Sequence, residues 1–428
     1  MKFKLLAAAA AAVMAAAPAM ADLTIPALNY RTGPYAPSGI PYADGFSDYM
    51  TLLNERDGGV GGEMINVLEC ETGYNTEKGV ECYEQTKGQG ALVYIPQSTG
   101  ITYQLIPKAS ADQIPIWSVA YGRTSAVNGK VFEWVFNLPV TYWDGASVAV
   151  KYAMEEEGGS LEGKKIALVY HNSAYGKEPI RTLEALAEKH GFELVTLAVD
   201  HPGQEQKSQW LQIRREKPDY VLMWGWGVMN QVAIQEAANI RYPMDKFIGI
   251  WWSGSEADVV PVGDGADGYK SLTFHGAGTD FPALQEIKTT VIDAGKNAGD
   301  GSKWGEVGYN RGVYAAAMVA EAIKQAQDAT GNAAITASDM RDALENLQVS
   351  DARFEELGLG GFAPAVSQSC AIHSSPRLAA LQQWSAGDKT WTVLTDYIEP
   401  DFDVVDPLIE EDSMAYAAEA GIEPRSCE

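Results

Sequence analysis

The sequence predicts an α/β protein of two lobes, each built around a parallel central sheet, and three observations point there. Apolar runs of strand length alternate with amphipathic helical stretches. That rhythm runs once from the N-terminal region and starts again near residue 165. The chain of 428 residues is longer than one core usually organises, and its 46% hydrophobic and 10% aromatic residues can fill two. Alternation of this kind calls for parallel strands with helices on both faces, so each lobe is expected to be Rossmann-like.

The elements follow in order. Residues 1–21 carry Lys2 and Lys4, an apolar run from Leu5 to Ala17, and small residues at 19 and 21, which is the layout of a signal peptide cut before Asp22. The run is shorter and richer in alanine than the ~20 apolar residues that span a bilayer, and no later stretch qualifies, so the mature chain is expected not to be membrane-embedded. Thr24 to Asn29 reads as a strand, Tyr42 to Asp57 as a helix, and Met64 to Leu68 and Ala91 to Ile95 as strands. In the second run Lys165 to His171, Glu193 to Val199 and Tyr220 to Trp224 are strands, separated by helices at Lys177 to His190, Gln206 to Glu216 and Gln231 to Ile240. Helices at Gly312 to Gln327 and Ser338 to Asn346 precede a hairpin, Arg377 to Trp384 and Thr390 to Thr395, turning at Ser385-Ala386-Gly387-Asp388. The acidic tail after Asp401 reads as a wrapping extension without assigned structure.

The formal net charge of −25 repels nucleic acid and anionic lipid, so neither is expected as a partner. Cys70, Cys82, Cys370 and Cys427 make an even count in an exported chain, which favours disulfides. Cys70 and Cys82 flank a short polar segment, and Cys370 with Cys427 would staple the tail to the body, the second pairing following mostly by elimination. Five histidines without paired ligand spacing give a metal little to bind, no cofactor is expected, and His373 is read as a hydrogen-bonded structural residue. There is no Gly-x-Ser-x-Gly elbow and no phosphate-loop motif. Asp57-Gly58-Gly59-Val60-Gly61-Gly62 follows a helix instead of opening one, so it reads as a helix end and turn rather than a dinucleotide fingerprint.

The stretch Asn29-Tyr30-Arg31-Thr32-Gly33-Pro34-Tyr35-Ala36-Pro37-Ser38-Gly39, with Asn54-Glu55-Arg56-Asp57-Gly58-Gly59-Val60 after the first helix, resembles the opening of the branched-chain amino-acid-binding family of bacterial uptake systems. Gln97-Ser98-Thr99-Gly100, Ile114-Pro115-Ile116-Trp117-Ser118, Tyr170-His171-Asn172-Ser173-Ala174-Tyr175-Gly176, Pro218-Asp219-Tyr220-Val221 and Phe247-Ile248-Gly249 continue the resemblance in order, over nearly all of residues 22–400. The resemblance implies the type I periplasmic-binding fold, two lobes joined by a three-strand hinge, with passages near Pro139, His275 and Gly361. The first lobe would then hold residues 22–139 and 276–361, the second 140–275 and 362–400, with 401–428 as a tail. It also implies a cleft that closes on a ligand, docking on the permease subunits of an ABC transporter, and a separate ATPase.

Ser98 and Thr99 stand just ahead of a helix, where short hydroxyls and backbone N–H groups suit a carboxylate without steric bulk. In the family the equivalent loop holds the ligand's carboxylate, helped by the loop that here reads Ala120-Tyr121-Gly122. On the facing lobe the resemblance assigns Tyr175 and Trp226 to the ligand wall, and Ser38 and Tyr42 add to the first-lobe wall. Trp251 stands where amino-acid binders of the family carry an acid for the ligand's ammonium group. An ammonium left unpaired in a closed cleft costs several kcal/mol. The expected ligand is therefore an apolar or aromatic carboxylate, its body lying against Trp226 and Trp251; the alternative is a branched-chain or aromatic amino acid whose ammonium meets Glu256 or Asp258. A quaternary ammonium caged by aromatic rings is a further ligand class, and a ligand-sensing receptor domain or a hydrolase are readings from other classes.

Overall fold

The structure is a computed structural model that describes residues 23–427. The expected signal peptide and its expected cut before Asp22 lie outside these residues. The strands fall into two groups. In the first, Leu23–Asn29 pairs in parallel with Ile65–Glu71, and Ile116–Val119 with Val135–Leu138. Residues 91–95 link the two pairs through single bridges, Thr24 with Ala91, Ala27 with Ile95 and Tyr94 with Ile116, so the expected third strand is present only as isolated bridges.

The second group is a seven-stranded sheet in the order Thr390–Val393, Ala380–Ser385, Lys270–Thr273, Phe247–Gly249, Tyr220–Trp224, Lys165–His171, Glu193–Val199. The last five are mutually parallel, and the hairpin Ala380–Val393 adds two antiparallel strands at one edge. The parallel strands are mostly buried, as sheets covered on both faces must be.

The first helix is longer than its sequence suggests, running from Ala36 to Asp57. Pro37 does not stop it because the N–H groups of a first turn have no partner to lose. Gly58 ends it in the left-handed conformation at φ 71°, the role expected of the glycine-rich stretch. This helix crosses Val307–Thr330 so closely that a Cβ on Gly45 or Gly312 would run into the other helix's backbone.

The chain passes three times between the strand groups. The chain leaves the first at Leu138-Pro139 and returns past His275, where Gly276 N donates to Phe362 O at 2.7 Å and the His275 ring stacks on Phe362. The third was expected near Gly361. The chain instead stays against the first group as far as His373, whose N–H donates to Val127 O and whose carbonyl accepts from Asn137 N, and reaches Pro139 O through Arg377 N. His373 is structural, its Nδ1 bonded to Val135 O and its Nε2 to Glu345.

Both disulfides form as expected, Cys70 with Cys82 and Cys370 with Cys427. The tail, unassigned from sequence, is a helix from Phe402 to Ala420 that buries Val405, Ile409, Ser413 and Ala417, one stripe at four-residue spacing.

Candidate functional site

A small cavity, nearly filled by the rings around it, lies between the strand groups. Tyr30, Tyr74, Gln97, Ser98, Thr99 and Tyr121 line it from the first group, and Tyr142, Tyr175, Trp226 and Trp252 from the side of the second. Strand ends and the loops after them supply most of this wall, which is where open parallel sheets bind ligands. Ser98 is the N-cap of the helix Thr99–Asp112, its hydroxyl accepting from Ile101 N at 3.4 Å, so the positive end of that helix opens onto the cavity.

Of the residues singled out from sequence, Ser98, Thr99, Tyr121, Tyr175 and Trp226 line the cavity. Ala120 and Gly122 brace it from behind. Ala120 O accepts from Trp251 Nε1 at 2.8 Å and Trp252 Nε1 at 3.0 Å, and Gly122 N donates to Thr99 Oγ1 at 3.1 Å. Ser38 and Tyr42 are buried outside the lining, with the Tyr42 ring 6.2 Å from that of Trp252. Trp251 also sits behind the wall, stacked on Tyr142 at 5.9 Å with the planes 9° apart.

Five lining residues escaped the sequence reading: Tyr30, Tyr74, Gln97, Tyr142 and Trp252. Trp252 takes the place expected of Trp251 because Trp251–Ser253 forms a 3-10 turn, so the alternation of a strand does not extend through it. Tyr74 lies within the loop closed by Cys70–Cys82, 4.9 Å from the Tyr30 ring and 4.5 Å from Tyr35. A cysteine pair flanking an aromatic residue was the signal available for it.

Among the described residues, no side chain of Asp, Glu, Lys, Arg or His lines the cavity. Burial pushes the hydroxyls of Tyr30, Tyr121, Tyr142 and Tyr175 well above the usual phenol value, so they stay protonated. The acids considered as ammonium partners are engaged elsewhere. Asp258 accepts from Asn230 Nδ2, Ser255 N and Ser255 Oγ, all at 2.9 Å, and Glu256 accepts from Val307 N at 2.9 Å. Burial raises Asp258 to about 6 and Glu256 to about 7. Arg311 lies behind Trp252, its Cζ 4.7 Å from the ring centroid.

Around the cavity the strand groups are tied directly. Tyr35 OH bonds His171 Nε2 at 2.8 Å and His201 Nδ1 at 3.0 Å. Glu178, raised to about 7 by burial, accepts from Tyr103 OH and, at 3.3 Å, from Thr124 N.

Residues 22–387 match the pattern of the periplasmic binding protein family. This chain belongs to that family. The binding protein also matches a solved structure from the Pseudomonas fluorescens group, described as an ABC transporter permease, at 39% identity over 95% of this chain and 100% of that one, with a TM-score of 0.87. A Thermus thermophilus branched-chain amino-acid ABC transporter protein with bound valine shares the fold at 20% identity, covering 90% and 98%, with a TM-score of 0.76. A Rhodopseudomonas palustris solute-binding protein in complex with benzoate does so at 17% identity, covering 89% and 98%, with a TM-score of 0.65. A search of curated proteins returns no match. Among the described residues of the binding protein, no helix is long and apolar enough to cross a membrane.

Proposed function

We propose that this chain is the periplasmic solute-binding subunit of an ABC-type importer and that it captures a small aromatic or otherwise apolar carboxylate between two hinged lobes. The strand groups are the lobes, the first built from residues 22–139 and 276–373 and the second from 140–275 and 377–400. The observation that carries the ligand class is the lining itself: seven aromatic side chains among ten, with Ser98 and Thr99 at a helix N-terminus as the polar end and no ionised partner for an ammonium. Rings supply apolar area and orientation, while the hydroxyls and N–H groups at residues 98–100 supply donors for a carboxylate. Binding without chemistry is the role that follows, with closure over the ligand presenting a surface to the permease.

Engagement of Glu256 and Asp258 by Val307, Asn230 and Ser255 argues against an amino acid, since its ammonium would meet neutral hydroxyls, the Gln97 amide and aromatic rings but no carboxylate in the lining. The same rings could cage a quaternary ammonium. Arg311 behind Trp252 opposes that, because a buried positive charge repels a second one through a medium of low dielectric.

A thermal-shift screen of the exported protein against benzoate-like acids, amino acids and quaternary amines tests the reading. A ligand at 100 times its Kd adds about 2.7 kcal/mol. Stabilisation by aromatic acids, with little from leucine or choline, supports it. A response to leucine alone would overturn the ligand class, and turnover of an ester or amide would overturn the binding role. Intact mass of the native protein, expected to start at Asp22, tests the compartment.

A further inference from the structure

The C-terminal helix Phe402–Ala420 lies beyond residues 22–387, the part that carries the family pattern, and its contacts fall on both sides of the cavity. Toward the first lobe, Asp412 Oδ1 accepts from Arg123 Nη2 at 2.5 Å, from Arg123 Nε at 3.2 Å and from the Ser125 hydroxyl. The Arg123 guanidinium lies over the Tyr416 ring at 4.7 Å, and Asn128 Nδ2 donates to Ser413 Oγ at 2.8 Å. Toward the second lobe, Glu411 pairs with Arg181 at 2.5 Å, and Asp401, just ahead of the helix, pairs with Lys189 at 2.6 Å. Asp406 reaches Arg377 at 2.7 Å, in the connection between the lobes. The far end is tied covalently by Cys370–Cys427, and Arg425 N donates to Lys130 O at 3.0 Å.

We propose that this helix is a strap across both lobes and that Asp412 is a positioning residue for the cavity wall. The inference rests on the two-lobe binding reading and adds to it the element that sets the lobe geometry. Arg123 and Ser125 follow directly on Ala120-Tyr121-Gly122. Within those three residues Ala120 O receives both indole N–H groups, Tyr121 faces the cavity and Gly122 N holds Thr99. Asp412 thus fixes the segment from which the wall is hung. Hinge opening moves the second lobe away from the first, to which Cys370 and Lys130 hold the strap's far end. Opening therefore has to break the Glu411–Arg181 pair or drag the strap with it, and the Asp401–Lys189 pair anchors the strap's near end on the second lobe. The wall and the hinge are governed by one element.

The test uses full-length, ligand-free protein and two readouts. Hydrogen exchange of the amides in 120–125 reports the wall, and the distance between spin labels at Ser110 and Glu184, one exposed site on each lobe, reports the hinge. Asp412→Ala is expected to speed exchange in 120–125 at least tenfold. Asp412→Asn, which keeps an acceptor at Oδ1, is expected to restore most of the protection, and a purely global loss of stability would not follow that order. Arg181→Ala with Lys189→Ala is expected to broaden the label distances while exchange in 120–125 stays as in the wild type. Should Asp412→Ala fail to fold, Ser125→Ala removes one of the three bonds and is read the same way. Unchanged exchange in a folded Asp412→Ala or Ser125→Ala variant, or unchanged label distances in the double variant, overturns the proposal. These measurements need no ligand. A ligand screen without a carboxylate hit therefore defeats the functional reading and leaves the strap standing, whereas failure of the strap leaves the screen untouched.

Discussion

Arg311 lies over the indole of Trp252, 4.7 Å from the ring centroid, on the ring that also lines the cavity. The guanidinium is 1% exposed, donates to Trp251 O at 2.8 Å and to His275 Nε2 at 3.2 Å, and among the described residues forms no ion pair and leaves Nη2 without a hydrogen-bond partner. Burial lowers it to about 10 and, with the Arg311 charge, drives His275 down to about 3, so the imidazole stays neutral and the cation persists at pH 7.

That cation should discriminate by charge. Arg311→Met is expected to weaken an aromatic acid by roughly tenfold or more while leaving its neutral amide nearly unaffected. Calorimetry with benzoate and benzamide on both proteins measures the ratio, and an unchanged ratio would mean that Trp252 screens the charge completely.

The two adjacent tryptophans should behave differently. Trp252→Ala is expected to weaken aromatic ligands strongly, since it removes a wall. Trp251→Glu should instead destabilise the fold by several kcal/mol, because it buries a carboxylate behind the wall, deletes the stack on Tyr142 and leaves one donor fewer for Ala120 O. Melting temperature and calorimetry on the two variants separate stability from affinity. A stable Trp251→Glu protein that binds leucine would refute this assignment.

Opening Cys70–Cys82 has a local and a global effect. The chain-entropy model for a loop of this length gives about 3 kcal/mol. Because Tyr74 sits inside that loop and touches Tyr30 and Tyr35, a Cys70→Ser and Cys82→Ser variant should also lose affinity for an aromatic acid. Denaturant unfolding gives the first quantity and calorimetry the second.

Acid stability follows from opposed groups. His171, lowered to about 3 by burial and by His201, and His275 bind protons below about 6.5 only after unfolding, so each withdraws stability as pH falls from 6.5 to 3. Glu178 and Glu256, raised to about 7, and Asp258, raised to about 6, take up protons in the fold first, so each adds stability over the range from those values down to about 4. Between pH 6.5 and 4.5 the two glutamates offset the two histidines and Asp258 adds a small further gain. Below that the acids add nothing more, while Glu157 and Glu345, both held near 2 by their cationic partners, lose their contribution as well. Melting temperature is therefore expected to change little from pH 7 to about 4.5 and to fall steeply toward 3. A steady decline starting at pH 6.5 would mean that the buried acids do not offset the histidines.

Much of the chain was legible because its information is local. The strands Lys165–His171 and Tyr220–Trp224 match their apolar runs residue for residue, since a buried parallel strand needs little beyond continuous hydrophobicity and a turn at each end, and the half-exposed edge strand Glu193–Val199 also falls where its run places it. Gly58 announced its helix end through the backbone freedom only glycine has. The stripe Val405, Ile409, Ser413, Ala417 was equally local and could have revealed the last helix.

What the sequence by itself determined, then, is the alternation of elements, the family likeness, the pairing of the cysteines and five of the cavity's ten lining residues. Tertiary structure decided the rest. Whether Trp251 or Trp252 faces the cavity depends on a 3-10 turn held by the indole bonds to Ala120 O and by the Ser253 hydroxyl donating to Gly225 O, and the third connection passes Gly361 because His373 finds partners at Val127 and Asn137. The Arg311–Trp252 contact joins residues 59 apart in sequence, and the strap joins Asp412 to Arg123 across 289. Such relations arise only when distant segments are packed together, since the energy of a buried charge or a shared acceptor depends on its neighbours in space and not on those along the chain.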